Sequence, residues 1–190
     1  YGATGTYMLG SFDGKTFIPE SGKYFYTKGS LYAGQTYTNI PNSDGRRIQI
    51  AWGRISHPSM PFNGMMLLPT ELTLHTTKEG IRLFSNPIKE TKQLFTPLKK
   101  WASLTSDKAN DHLKEFRNAE TLRIKTTFKL SHATSAGIDL FGQRILDYDM
   151  NANTINSVFY SPEDRNSMEL TADIYIDKTS IEVFIDGGIY

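Results

Sequence analysis

Apolar and polar positions in the first half of the chain alternate with the period of β-strands. In residues 46–52, one face of the predicted strand carries Ile48, Ile50 and Trp52. The other face carries Arg47, Gln49 and Ala51. Further strands are predicted in the ranges 7–12, 15–18, 31–38, 65–74 and 81–84. The four strands from residue 31 onward follow one another simply, as one blade of a β-propeller requires.

Turn residues predict how two of these strands are shaped. Asp13-Gly14 favours a tight type I′ hairpin between the first two strands, because both central residues of that turn take positive φ. Pro69 interrupts the apolar range 65–74, so a bulge or bend is predicted there.

The second half of the chain predicts another all-β unit. Residues 122–130 alternate apolar and charged side chains, which is typical of a sheet with one buried face. Spaced short strands with polar turns indicate a β-sandwich, and the others are predicted at 137–141, 144–150, 156–160, 170–176 and 180–185. Short helices are predicted at 88–95 and at 107–116, the second capped by Ser106. The boundary between the two units is placed between residues 96 and 97, within an irregular segment that extends to Ser106.

Composition narrows the classes of function. The 190 residues are 38% hydrophobic and 12% aromatic, enough for one sizeable folded domain or two small ones. A net charge of +1 offers no electrostatic surface for nucleic acid or an anionic membrane, and no apolar run reaches the roughly 20 residues that span a bilayer. The absence of cysteine excludes disulfides, thiol catalysis and zinc–thiolate sites, and no dinucleotide or phosphate-binding motif predicts a cofactor.

The order of several motifs resembles the last propeller blade of glycoside hydrolase family 32. These motifs are L-Y-A-G-Q-T-Y-T-N-I-P, G-R-R-I-Q-I-A-W-G-R, S-H-P-S-M-P-F-N-G, M-M-L-L-P-T-E-L-T-L and K-E-G-I-R-L-F-S-N-P, all within residues 31–87. The later Y-I-D-K-T-S-I-E-V-F-I-D-G-G-I-Y resembles the β-sandwich that follows the propeller in that family. The resemblance implies an all-β chain: residues 1–96 as the end of a five-bladed propeller, and residues 97–190 as a sandwich lacking its final strand.

The same resemblance implies a glycosidase as the parent protein. Members of the family cleave β-fructofuranosyl bonds in levan, inulin or sucrose with retention, and such a parent is expected to be secreted or periplasmic. Their catalytic carboxylates lie in Asn-Asp-Pro, Arg-Asp-Pro and Glu-Cys motifs, none of which occurs here. The chain alone is therefore predicted to be inactive, with the missing propeller blades and a fructose-containing saccharide as its partners. Lys28-Gly29-Ser30 stands where the family commonly has acidic residues, so outer-subsite specificity is not carried over.

Trp52 is the first candidate for binding a sugar. A tryptophan at the end of a strand presents an apolar face to the C–H side of a sugar ring, while its N–H meets a hydroxyl. The resemblance places Trp52 in the first binding subsite, and Tyr32 and Gln35 approach the same pocket from the neighbouring strand. The residues by themselves also permit structural roles, with Trp52 in the core between blades and the other two as ordinary strand residues.

Several other polar residues have competing structural interpretations. Glu71, on an apolar strand, is interpreted as a buried, hydrogen-bonded side chain rather than a catalytic acid. Asp147 and Asp149 share a strand face, which suits a cation site or a solvated surface. No metal site is predicted, because the four histidines lack the usual ligand spacing; they are His57, His75, His112 and His132.

Two functions without catalysis remain open. A carbohydrate-binding sandwich would need exposed aromatic residues along one face, for which the candidates are Tyr148, Phe159 and Tyr160. A purely structural domain would instead show a large apolar patch and no pocket.

Overall fold

The computed structural model of the protein describes residues 1–2, 4–131, 133–160 and 168–190. This part of the chain consists mainly of β-strands. The strands are β1 Thr6–Tyr7, β2 Gly10–Phe12, β3 Phe17–Pro19, β4 Tyr24–Phe25, β5 Leu31–Thr36, β6 Ile48–Gly53, β7 Met65–Met66, β8 Thr70–Thr77, β9 Gly80–Pro87, β10 Leu122–Lys129, β11 Ser135–Leu140, β12 Gln143–Asp149, β13 Thr154–Ile155, β14 Val158–Phe159, β15 Glu169–Ile176 and β16 Ile181–Ile185. The helix α1 spans Ser106–Leu113, and 3-10 helices span Lys89–Leu94, Lys114–Phe116 and Asp186–Gly188. None of these helices has the length and apolar character needed to cross a membrane.

The predicted blade forms a single antiparallel sheet. Its strand order is β5-β6-β8-β9, the order of the chain, and β7 adds a short pairing to β6. The predicted break at Pro69 is present and is larger than a bulge, because residues 67–69 separate β7 from β8. The carbonyl of Pro69 accepts a hydrogen bond from the N–H of Ile88 at 3.1 Å, so the break is fastened to the end of β9.

The first hairpin differs from the predicted type I′ turn. Phe12 pairs with Phe17, which leaves a four-residue connection rather than two residues. The Asp13 carboxylate accepts hydrogen bonds from the N–H groups of Lys15 and Thr16 at 2.8 and 2.7 Å. Only Gly14 of this turn takes positive φ, at 96°. The prediction was wrong because the aspartate side chain caps the turn instead of adopting the left-handed backbone.

Both faces of β6 are partly buried, and Ile48 on the face of Trp52 is 7% exposed. Gln49 is 1% exposed and Ala51 is 3% exposed, whereas Trp52 on the other face is 40% exposed. The buried amide is satisfied by Tyr26, whose hydroxyl lies 3.2 Å from Oε1 and 3.0 Å from Nε2 of Gln49. Because that hydrogen bonding offsets the cost of burying an amide, a polar residue can occupy the interior face.

The second half is the predicted β-sandwich. One sheet has the order β10-β15-β16 and the other β11-β12-β13-β14. Both sheets contribute to one core that contains the fully buried Leu146, Ile155, Leu170 and Ile185. The alternating strand predicted at residues 122–130 forms β10, which pairs along its whole length with β15.

The two predicted helices differ in detail from the structure. Residues 89–94 form a 3-10 helix rather than an α-helix, because β9 continues through Pro87. The helix predicted from Asp107 begins at Ser106, and its cap is Thr105, whose side chain accepts from the N–H of Lys108 at 3.5 Å. Residues 95–105 between these helices contain no regular structure.

The halves meet along the ends of β9 and β16. The backbone of Gly188 approaches Ser85 so closely that a Cβ there would lie 2.3 Å from the Ser85 carbonyl oxygen. A second contact joins the ammonium group of Lys28 to the carbonyl of Asn156 at 2.9 Å. These contacts show where the two halves touch but do not show where one unit ends and the next begins. The boundary between residues 96 and 97 stays a prediction.

Candidate functional site

A β-bulge places the two strand β5 candidates on the same face of the sheet. Tyr32 pairs with Trp52 and Gln35 pairs with Ile50, with an irregular register between them. Ala33 in this interval has a φ of 50°, and Gly34 follows it against the side chain of Gln49. Residues three apart on a regular strand face opposite sides, so the extra residue brings Gln35 round to the side of Tyr32.

Tyr32, Trp52 and Met66 form an exposed row across three strands, called here the Trp52 platform. Trp52 pairs with Tyr32 on β5 and with Met66 on β7, and side chains opposite each other in antiparallel strands share a face. Their exposed fractions are 36% for Tyr32, 40% for Trp52 and 55% for Met66. The two rings meet edge to face with centroids 6.3 Å apart. The platform therefore presents aromatic and thioether surface to solvent.

The loop after β6 supports the indole of Trp52. Gly64 lies against the ring, and a Cβ at this position would come within 2.0 Å of the indole nitrogen. Its backbone has a φ of 74° and donates to the carbonyl of Ile55 at 2.8 Å. The loop is held from the other side by Asn63, whose side chain accepts from the N–H of His57 at 3.2 Å. Glycine at position 64 thus meets two requirements, the left-handed backbone and the space for the indole.

Arg54 is a site residue that the sequence reasoning missed. Its guanidinium carbon lies 4.7 Å from the centroid of the Tyr32 ring, which is a cation–π distance. Its N–H donates to the carbonyl of Ser30 at 2.9 Å and so continues the pairing of β5 with β6. The sequence does contain a signal, because Arg54 follows Trp52 by two residues and two is the period of a strand.

The remaining candidate acids lie away from the Trp52 platform. Glu71 is half-buried on β8 and pairs with Ile48 and Asn86 in the sheet. Asp147 and Asp149 are exposed, and each has a local partner: Asp147 pairs with Arg144 at 3.0 Å, and Asp149 accepts from backbone N–H groups of its own turn. These two aspartates are a solvated strand surface.

The histidines are dispersed through the fold. His57 is buried beside Phe62, with its ring centroid 5.2 Å from that of the phenylalanine. His112 stacks on Trp101 at 4.9 Å, and His75 lies 2.9 Å from the Thr73 hydroxyl. His132 is outside the described residues. No group of three or more metal-ligating side chains occurs in the part of the chain that the structure describes.

Two of the three aromatic residues considered for a sandwich groove, Tyr148 and Tyr160, lie in the interior. Tyr148 is 6% exposed and Tyr160 is 3% exposed, and their rings pack edge to face. The side chain of Phe159 is outside the described part of the molecule. These two tyrosines do not form the exposed aromatic face that a carbohydrate-binding sandwich would need, because both side chains complete the sandwich core.

Glu182 is a second residue that the sequence did not single out. Both of its carboxylate oxygens accept from the N–H of Leu68, at 3.1 and 3.2 Å, which ties β16 to the break before β8. Burial raises the pKa of this carboxyl from 4.5 to about 7, and the hydrogen bond from Leu68 opposes that shift. A cavity of about 250 Å³ adjoins the carboxyl at the junction of the two halves.

Comparison with known proteins finds a family model that matches the first part of the chain. Residues 2–87, which contain the blade sheet and the Trp52 platform, match the model of the glycosyl hydrolases family 32 N-terminal domain. A levanase of Bacillus subtilis is 26% identical over 96% of this chain and 32% of its own length. Residues 2–87 are therefore similar to glycoside hydrolase family 32.

Solved structures show the same fold. The exo-inulinase of Aspergillus awamori is 20% identical, with a TM-score of 0.69 over 98% of this chain and 44% of its own. The β-fructofuranosidase of Schwanniomyces occidentalis, solved in complex with fructosyl-erythritol, is 19% identical, with a TM-score of 0.60 over 96% of this chain and 45% of its own. The likeness confirms the predicted fold class, the end of a five-bladed propeller followed by a β-sandwich. The chain spans less than half the length of each of these relatives.

Proposed function

We propose that this chain is part of a retaining glycosidase that cleaves β-fructofuranosyl bonds in levan, inulin or sucrose. The Trp52 platform is the observation that carries the proposal, because it exposes an indole and a phenol side by side within the family-matched range 2–87. Such a surface packs against the C–H face of a sugar ring. The names of the levanase and the exo-inulinase, and the fructosyl ligand of the third relative, support a fructose-containing substrate.

The chain contributes binding surface rather than the catalytic acids. A retaining glycosidase needs two carboxyl groups roughly 5–5.5 Å apart across the bond that is cleaved. The family motifs that hold these groups are absent, and without cysteine the Glu-Cys motif cannot occur. The acids therefore come from upstream propeller blades of the same protein, and the 190-residue chain alone releases no fructose.

Substitution of Trp52 in the complete enzyme tests this proposal. Trp52→Ala removes a surface that contacts the sugar as it distorts toward the transition state, so kcat/KM on levan should fall by about 10- to 1000-fold, or roughly 1.4–4 kcal/mol. The free energy of unfolding should change little, because the indole is 40% exposed. Trp101→Ala is the matched control, since Trp101 is 37% exposed and stacks on His112 away from the platform.

Three results would count against the proposal. One is a stability loss of about 3–5 kcal/mol in Trp52→Ala with normal kcat/KM, which is the signature of a core side chain. Another is an equal loss of kcat/KM in Trp101→Ala. The third is fructose release by the isolated chain above a buffer blank.

A further inference from the structure

Arg54 extends the Trp52 platform beyond its aromatic part. It lies two residues after Trp52, which places the two Cα atoms about 7 Å apart along the strand direction and their side chains on one face. The guanidinium lies over the Tyr32 ring at 4.7 Å, so Tyr32 contacts both Trp52 and Arg54. A planar cation with five N–H donors thus stands beside the surface assigned to the first sugar.

The N–H donors of the Arg54 side chain differ from those of the other arginines over aromatic rings, because they have no partner among the described residues. Within the described part of the chain, three arginines lie over aromatic rings: Arg54, Arg82 and Arg123. Arg123 forms a two-bond ion pair with Asp173 at 2.9 and 2.7 Å, and Arg82 donates to the carbonyl of Ile81 at 2.9 Å. The Arg54 side chain forms neither an ion pair nor a hydrogen bond with the described residues, and it is exposed.

We propose that Arg54 is a specificity-determining residue that binds the second sugar unit of an oligosaccharide or fructan whose terminal unit lies on Trp52. This inference rests on the function proposed above. A guanidinium is weakly hydrated, and stacking on Tyr32 restricts its orientation. Hydrogen bonds from it to sugar hydroxyls therefore cost little additional side-chain entropy. The spacing of about 7 Å from Trp52 suits a neighbouring sugar unit rather than the ring on the indole. Arg54 therefore favours substrates that carry a further sugar beyond the cleaved bond.

Kinetics on two substrate lengths in the complete enzyme test the assignment. The substrates are methyl β-fructofuranoside, which has one sugar, and a fructose-terminated trisaccharide. Arg54→Met should lower kcat/KM on the trisaccharide by about ten-fold or more, since a hydrogen bond from a charged donor is lost, and change it less than two-fold on the methyl glycoside. Arg54→Lys keeps the charge but loses the planar fork, so its defect should be intermediate.

Arg82→Met is the matched control. Arg82 lies over the Tyr24 ring at 4.4 Å, so its replacement removes the same kind of contact without altering the Trp52 platform. It should leave the ratio of the two kcat/KM values unchanged. Raising the ionic strength should also leave the KM for the trisaccharide unchanged. The sugar is uncharged, so there is no attraction between charges for salt to screen.

Each other outcome overturns the assignment. An equal loss on both substrates, or a lower melting temperature of Arg54→Met, would show that Arg54 only supports Tyr32. No loss on either substrate would remove Arg54 from the binding surface, and a strong salt dependence would mean an anionic ligand. If the wild-type enzyme released no fructose from either substrate, the proposed function itself would fail, a result distinct from an altered ratio.

Discussion

At the scale of single residues, Gly64 controls the position of the tryptophan at the centre of the site. A side chain at position 64 would meet the indole nitrogen of Trp52 at 2.0 Å, and the backbone φ of 74° is unfavourable for any other residue. Replacing Gly64 therefore carries two costs, backbone strain and a steric clash. The clash displaces the indole of the Trp52 platform.

Gly64→Ala should destabilise the chain by about 1–3 kcal/mol and shift the Trp52 fluorescence emission. Gly14→Ala is the control, because Gly14 has a φ of 96° but no atom within 4 Å of the position that a Cβ would occupy. It should carry the backbone penalty without altering the Trp52 signal. Denaturant melts and fluorescence of both variants in a Trp101→Phe background measure the difference. If Gly64→Ala and Gly14→Ala behave alike, the indole contact has no energetic role.

At the scale of elements, the carboxyl of Glu182 links strand β16 to the break that precedes β8. Its pKa is raised by burial to about 7, so the folded protein holds a proton that the unfolded chain releases near 4.5. The contribution of Glu182 to stability is then greatest below pH 4.5, falls as the pH rises toward 7, and is lost above that value. The other titratable groups lining the same cavity are Tyr26, Lys28 and Tyr190.

Glu182→Gln should remove most of this pH dependence. The wild-type free energy of unfolding should fall by about 2–3 kcal/mol between pH 4.5 and pH 7.5, and the variant should change much less over that interval. The amide oxygen of glutamine still accepts from the Leu68 N–H, so the contact itself is retained. Urea melts at several pH values measure both proteins, with Glu71→Gln as a control for a half-buried glutamate elsewhere. Identical pH profiles for the wild type and Glu182→Gln would refute the assignment to Glu182.

At the scale of the whole molecule, the irregular segment 95–105 connects the blade sheet to the sandwich. Two of its large apolar side chains are exposed, Leu98 at 68% and Trp101 at 37%. Exposed backbone without regular hydrogen bonding is the preferred substrate of proteases. We propose, as the sequence predicts, that the boundary between the two units lies here, after residue 96.

Limited digestion with trypsin should cut first after Lys99 or Lys100 and leave a protected fragment that contains the sandwich. The blade sheet should be degraded sooner, since its outer strands have unpaired edges and the sandwich has a closed core. A Lys99→Gln, Lys100→Gln variant should lose this first cut. Mass spectrometry of the early fragments identifies the site, and a first cut inside β10–β16 would contradict the proposed boundary.

The sequence predicts those parts of the fold that depend on residues close together in the chain. Alternation of side chains and the turn residues predict the blade strands, the sandwich strands and the break at Pro69, because these depend on neighbours along the chain. The Asp13 turn was missed since a side-chain cap competed with the backbone preference of Asp13-Gly14. The grouping of Trp52 with Tyr32 followed from the family resemblance, and no local pattern indicates it.

The sequence by itself therefore determined the all-β class and the simple succession of the four main strands of the blade. Tertiary structure decided that Gln49 on β6 is buried, because the Tyr26 hydroxyl satisfies its amide from outside the strand. It also decided that Gln35 shares the face of Tyr32, through a bulge that alternation does not encode. The raised pKa of Glu182 has the same origin, since it depends on burial between segments more than 100 residues apart in the chain.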